Sequence, residues 1–204
     1  MKAPERPQKE LIPAGTYRAV CYAVVDLGTH LNEAFGKNQR QLKIQWEIPD
    51  IRIEYEKDGQ KKEGPKVVGK TYTFSMYEKA DLFQHVNSWT NEANDDFEFE
   101  SLIGKNCLLN IIHKTNKSGT RKYDVVSSVM AIPTNTQVSQ PENPTIFYSI
   151  TDHGKDIPDS VYDWMVEIIK DSNEFSMMEN AGEILNDQHV EDTTDYSNED
   201  DIPF

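Results

Sequence analysis

From Gln41 to Ile48 the chain alternates without exception. Leu42, Ile44, Trp46 and Ile48 are apolar, and Gln41, Lys43, Gln45 and Glu47 between them are polar or charged. A period of two places these two sets on opposite faces of an extended strand, one against a core and one toward water. The strand is expected over 39–55, because Ile51, Ile53 and Tyr55 resume the alternation after Pro49-Asp50, where a bulge or bend should fall.

Four further segments have strand character. Residues 16–27, opened by Gly15 and rich in Tyr, Val and Ala, form the first, and 28–38, with Gly36-Lys37-Asn38, has turn composition. Asp58-Gly59 signals a hairpin whose polar connection is expected to run to Lys66. Residues 67–76 then place Lys70, Tyr72, Phe74 and Met76 on one face and Thr71, Thr73 and Ser75 on the other. Residues 103–114, centred on Leu108-Leu109 and Ile111-Ile112, and 121–132 complete the set, joined by a turn over 115–120. Within the first 150 residues the period becomes helical only over 79–89, with Leu82, Phe83, Val86 and Trp89 on one stripe. The fold class predicted is all-β: a five-stranded OB-fold barrel, occupying 1–135, with a helix between strands three and four.

Residues 136–178 read as a linker and docking helix. Ile146-Phe147-Tyr148 is a short extended piece able to dock on the barrel. A C-terminal helix is expected over 158–175, capped by Asp159 or Ser160, with Val161, Trp164, Met165, Ile168 and Ile169 as its apolar stripe. Residues 179–204 have too few apolar side chains to offset chain entropy, and a disordered acidic tail is expected there.

A net charge of −14 and an apolar share of 37% argue at first against a polyanionic partner and against a chain folded throughout. The charge is unevenly placed. Residues 151–204 hold 16 Asp and Glu against 2 Lys and Arg, whereas 1–150 hold 19 of each. The excess therefore belongs to the end of the chain. Within the neutral part, Lys37, Arg40 and Lys43 lie in an acid-free window between Glu33 and Glu47. Lys105, Lys114, Lys117, Arg121 and Lys122 lie in another between Glu100 and Asp124. In an OB-fold those windows would be the loops between strands one and two and between strands four and five, which flank an oligonucleotide groove. Surface loops favour Lys and Arg in any case, so the aromatics matter as well. Tyr72, Phe74 and Tyr123, with Tyr22 and Phe35 behind them, are candidates to stack on bases, while Trp46 reads as core. The expected DNA-binding set is Lys37, Arg40, Lys43, Lys70, Tyr72, Phe74, Lys114, Lys117, Arg121, Lys122 and Tyr123.

Other chemistry finds little footing. Residues 64–71 satisfy the phosphate-loop pattern GxxxxGK[ST], but charged residues precede them and β-rich Tyr72-Thr73-Phe74-Ser75 follows, where the mechanism needs a buried strand and a helix. No catalytic constellation stands out, so no enzyme is expected, although a nucleotide hydrolase acting through Lys70 is a rival reading. Cys21 and Cys107 lie in apolar segments without metal-ligand spacing and read as structural thiols, with no metal or cofactor. No span or signal core is present, so a soluble, cytoplasmic protein without a membrane partner is expected.

Asp192, Asp195, Glu199, Asp200 and Asp201 precede Ile202-Pro203-Phe204. Such an end is expected to act as a peptide ligand: Phe204 can fill an apolar pocket, its carboxylate can meet an Arg, and the acids can steer toward a basic rim. The ending resembles the C-terminal tip of bacterial single-stranded DNA-binding proteins. The body resembles the bacteriophage-encoded OB-fold single-stranded DNA-binding proteins, through Gly15-Thr16-Tyr17, Val25-Asp26-Leu27-Gly28-Thr29, Trp46-Glu47-Ile48-Pro49, Tyr72-Thr73-Phe74-Ser75, Leu102-Ile103-Gly104-Lys105 and the late helix ending in Ser172-Asn173-Glu174-Phe175. The resemblance implies a protein that coats single-stranded DNA during phage DNA replication and recombination in the host cytoplasm. Asp200, Asp201, Ile202, Pro203 and Phe204 would then recruit replication, recombination and repair proteins, and the unbound tail would fold over the basic groove. The alternative is an acidic DNA mimic that occupies a host DNA-processing enzyme.

Overall fold

A strand with one face in water buries every second residue, but the strand β1 (Gly15–Asn32) buries ten in succession, residues 19–28. Such burial requires cover on both faces. A computed structural model, which describes residues 10–57 and 59–187, shows what supplies it.

On one side lies a curled antiparallel sheet in the order β3-β2-β1-β4-β5, formed with β2 (Lys37–Lys57), β3 (Gln60–Thr73), β4 (Asn106–Thr115) and β5 (Lys122–Met130). The helix α1 (Asp81–Thr90) follows β3 and buries Leu82, Val86 and Trp89. Under the curl Ala19, Cys21 and Val24 pack with Ile44, Trp46, Trp89, Leu109, Ile111 and Val126. The mostly-β class, the five strands and the intervening helix stand as the sequence predicts. The two ends of the path, β3 and β5, are not joined by a ladder.

On the other side lies the segment read from sequence as a linker and docking helix. The strand β6 (Ile146–Tyr148) pairs in parallel with Ala23, Val24 and Val25, on the β1 edge that β4 leaves free after Val20. It is followed by α2 (Ile150–His153), α3 (Asp163–Lys170) and α4 (Asn173–Asp187). Tyr22, Ala23, Val25 and Leu27 pack there against Tyr148, Ile150, Met165, Ile169 and Phe175 in a second core. Residues 136–178 are therefore half of the packing around β1.

Two buried carboxylates fasten that half. Asp26 accepts hydrogen bonds from the amides of Gly28 (3.0 Å) and Ile150 (3.2 Å) and pairs with Arg40, which also reaches Thr151. Glu47, fully buried, accepts from the amides of Glu142 (2.8 Å) and Asn143 (2.7 Å) and from the Asn143 side chain (2.6 Å). A buried carboxylate persists only when so satisfied. Glu174 adds a third tie, accepting from the Thr29 amide (2.8 Å) and hydroxyl (2.5 Å).

Several boundaries differ from those predicted. β1 continues past Leu27 to Asn32 because a register shift between Asp26 and Gly28, with Gly28 at φ +78°, absorbs the glycine inside the strand. β3 begins at Gln60, since Lys57 lies opposite Gln60 and only two residues intervene; the expected polar connection to Lys66 is strand. The predicted irregularity at Pro49-Asp50 is present as a register shift between Ile48 and Arg52. The expected helix over 158–175 is two helices, broken where the Ser172 hydroxyl accepts from the Phe175 amide (3.3 Å) and starts α4. Neither Asp159 nor Ser160 caps α3, whose N-cap is Tyr162 without a side-chain hydrogen bond. α4 runs to Asp187, past the predicted end of order at Met178. Its first turn is anchored by buried Phe175, and Ala181, Glu183 and Leu185 are good helix formers that extend an existing nucleus at little cost. The tail tip, Asp200 to Phe204, lies outside the described residues.

Gly28 lies close against the C-terminal half: a Cβ added there would sit 2.4 Å from the Cβ of buried Ser172, on a backbone already at positive φ. Gly28→Ala should lower stability by about 3 kcal/mol, combining left-handed strain with overpacking. Gly36→Ala, at φ +60° with nothing within 4 Å, carries the strain alone, about 1–2 kcal/mol. Urea denaturation of the two variants side by side measures the difference.

Candidate nucleic-acid interface

Because β2 alternates, burying Leu42, Ile44 and Trp46 under the curl turns Lys43 and Gln45 to its other face. Gly69 on β3 is paired with Gln45, and a Cβ there would come within 3.0 Å of the Gln45 Cγ and the Lys43 Cε. Its φ is not positive, so the glycine serves to leave room for those two side chains. Opposite them stands the β4–β5 hairpin. Its turn is held by Asn116, whose carbonyl Oδ1 accepts from the amides of Thr120 (2.9 Å) and Arg121 (3.0 Å), and Gly119 completes it at φ +71°. Arg121, Lys122 and Tyr123 project from this end.

Between the hairpin and the β2–β3 surface lies an open cleft of about 1090 Å³. Lys43, Gln45, Arg121, Lys122, Tyr123 and Trp164 line it, with Asp124 as its one carboxylate. Asp124 is engaged elsewhere, accepting from the Ile12 amide (3.2 Å) and lying 3.5 Å from His113. Trp164 sits on the predicted apolar stripe, yet it is 45% exposed; α3 is buried through Met165 and Ile169, with Val161 buried just before its N-cap and Val166 and Ile168 partly buried beside them. The Lys43 ammonium lies 5.6 Å from the Trp164 ring centroid and 3.3 Å from the Thr71 hydroxyl. Burial lowers the Lys43 pKa from the ordinary lysine range.

Ion pairing sorts the cations. Arg18 pairs with Asp50, Arg40 with Asp26, Arg52 with Glu63 and Glu142, Lys70 with Asp81, and Lys105 with Glu92. Lys37, Lys43, Lys114, Lys117, Arg121 and Lys122 make no ion pair among the described residues. Of these, Lys43, Arg121 and Lys122 line the cleft, Lys114 and Lys117 stand exposed on the same hairpin, and Lys37 is exposed at the end of the β1–β2 hairpin.

Other members of the predicted set lie elsewhere. Lys37, Arg40 and Lys43 belong to β2 and not to a loop, because the β1–β2 ladder runs out to Asn32 and Lys37. Arg40 is engaged by Asp26 and lies 5.3 Å from the Phe74 ring centroid. Phe74 in turn packs on Phe99, with centroids 5.3 Å apart. Tyr72 is core, its hydroxyl 2.8 Å from His85 Nδ1, and Tyr22 is fully buried, whereas Phe35 is exposed at the β1–β2 turn. Trp46 is core as expected. Sequence reading missed Trp164, Tyr162 and Gln45 as cleft residues. The signal for Trp164 is the width of its predicted stripe: of five apolar residues, Val161, Met165 and Ile169 are buried and Ile168 is partly buried in the second core, which leaves Trp164 outside.

Residues 64–71, the phosphate-loop pattern, lie wholly within β3, and no helix begins until Asp81. Among the described residues no group of three His, Cys, Asp or Glu is placed to hold a metal ion. None of the described helices is long and apolar enough to cross a membrane. Cys21 and Cys107 are buried free thiols, both pushed up in pKa by desolvation. No family model matches the chain, and no curated protein matches it at a significant level.

Lys70 and Tyr72 take part in a polar cluster with Asp81 and His85. Desolvation, aided by the nearby Lys70 charge, holds the His85 pKa below its ordinary value. An imidazole that binds its proton more weakly when folded than when unfolded stabilises the fold above the unfolded value, about 6.5. That contribution fades as pH falls through the lower folded value. Stability measured by urea denaturation should therefore decline from pH 7 to pH 5, and His85→Gln should reduce that dependence.

Proposed function

We propose that the chain is a single-stranded DNA-binding protein of OB-type architecture, as its sequence resemblance to phage-encoded proteins of that class implies. What supports the reading is one juxtaposition. Three cations that make no ion pair among the described residues, Lys43, Arg121 and Lys122, line one open cleft together with the exposed aromatics Tyr123, Tyr162 and Trp164, and Lys114 and Lys117 stand on the same hairpin. Cations that track phosphates and aromatic faces that stack on bases are the two requirements of sequence-tolerant single-strand binding. The sheet order and the gap between β3 and β5 suit an OB-type barrel, whose oligonucleotide groove runs over strands two and three beside the loop between strands four and five.

In this reading the phosphate backbone passes the β4–β5 hairpin, where Lys114, Lys117, Arg121 and Lys122 neutralise it, and Lys43 meets it across the cleft. Lys70, Arg40, Tyr72 and Phe74 hold the fold and leave the DNA-binding set. The acidic end and its Asp200-Asp201-Ile202-Pro203-Phe204 tip recruit replication, recombination or repair proteins during phage DNA metabolism. The resemblance to bacterial tips supports this role.

Replacing Lys114, Lys117, Arg121 and Lys122 together by Ala tests the interface. The slope of log affinity against log salt should fall by about 0.7 for each single-strand phosphate that the variant no longer neutralises. A quadruple variant that binds oligonucleotide with the parent's slope would place the interface elsewhere.

A further inference from the structure

We propose that residues 10–13 form a strap that sets the width of the cleft, so that single-strand affinity is coupled to side chains that hold the strap and never meet the strand. Lys66 and His113 are the positioning residues of this device. The proposal rests on the single-strand binding read above and adds to it a conformational control of the same site.

The two walls of the cleft come from opposite ends of the sheet path. Val67, Val68 and Gly69 belong to β3, and Arg121, Lys122 and Tyr123 to the β4–β5 hairpin. No ladder joins β3 to β5, so sheet hydrogen bonds do not fix the distance between them. Two other elements cross this seam. Toward the C-terminal ends of both strands α1 crosses it, with His85 Nδ1 2.8 Å from the Tyr72 hydroxyl and the Ser88 carbonyl accepting from the Ala131 amide (3.1 Å). Beside the cleft the strap crosses it. Buried Lys66 of β3 donates to the Glu10 carbonyl (2.9 Å), Asp124 of β5 accepts from the Ile12 amide (3.2 Å), and His113 of β4 donates through Nε2 to the Ile12 carbonyl (2.7 Å). Ile12 is 1% exposed and packs in the first core, and Leu11 beside it lines the cleft. With the strap released, the walls would be coupled only through three intervening strands and through α1. A cleft of variable width binds a strand less tightly, because its productive spacing is populated only part of the time. The coupling is reciprocal, so a strand held between the walls must also keep the strap in place.

The Ile12 amide reports on the strap directly. Its hydrogen exchange is measured by NMR on the full chain with and without oligo-dT, while anisotropy of a labelled strand follows binding separately. With oligonucleotide at about ten times its dissociation constant, exchange at Ile12 should slow about tenfold. Ile12 is buried, so direct cover by the strand cannot account for the slowing. Lys66→Met and His113→Ala each remove a strap bond without altering a residue that lines the cleft, and each should weaken binding about threefold or more. His113→Ala should keep the parent's salt slope, since no phosphate contact is lost. Lys66→Arg, which retains a donor, should recover the parent's affinity. Binding with exchange at Ile12 unchanged, or with the parent's affinity in both Lys66→Met and His113→Ala, would overturn the coupling and leave single-strand binding intact. No anisotropy change with oligo-dT would overturn the binding reading itself.

Discussion

The burial of β1 on both faces is the constraint from which the remaining architecture follows. A strand with ten buried residues in a row has no wet side, and each side needs its own apolar partner. The curled sheet and α1 supply one, and the segment from β6 to α4 supplies the other. Buried carboxylates at Asp26 and Glu47 fix the second partner in register: each accepts backbone amides from the C-terminal half, bonds that no apolar residue could make. The cleft depends on this arrangement, since Trp164 reaches Lys43 only because α3 is seated on β1.

Electrostatics divide the basic residues into two populations. One is neutralised by neighbouring carboxylates and ties elements together, as Arg40 ties β2 to β1 and α2 through Asp26 and Thr151. The other makes no ion pair among the described residues, and five of its members, Lys43, Lys114, Lys117, Arg121 and Lys122, lie on the β4–β5 hairpin and the strand that faces it. Solvent-exposed pairs add little stability, so their distribution says more about interaction than about folding. A net charge of −14 is compatible with such a group of cations because the excess of acids over bases lies after residue 150.

Much of the fold is legible in the sequence, for identifiable reasons. The alternation from Gln41 to Ile48 has one structural solution, Pro49-Asp50 marks its irregularity, and Leu82, Val86 and Trp89 announce α1. Double-sided burial of β1 is also written, in the unbroken run Ala19-Val20-Cys21-Tyr22-Ala23-Val24-Val25, but a run of that kind does not name what covers it. The site is harder to read. An acid-free window in sequence does not exclude an acid across a hairpin, so Arg40, which belongs to the Asp26 pair, looks as available as Lys43. Tyr72 and Phe74 share a predicted face, yet one is core and the other half-exposed on Phe99, because β3 ends at Thr73 and the alternation ends with it. Trp164 and Gln45 have no motif to mark them; their place depends on a helix and a strand meeting from distant parts of the chain.

The central claim is that this cleft receives a single strand, whose bases are free to stack, in preference to a duplex, whose bases are not. Fluorescence anisotropy of the full chain with a labelled single strand and with the same sequence annealed to its complement compares the two directly. Tighter, salt-sensitive binding of the single strand is the predicted result. Duplex bound as tightly as the single strand, or neither bound at low salt, would contradict it.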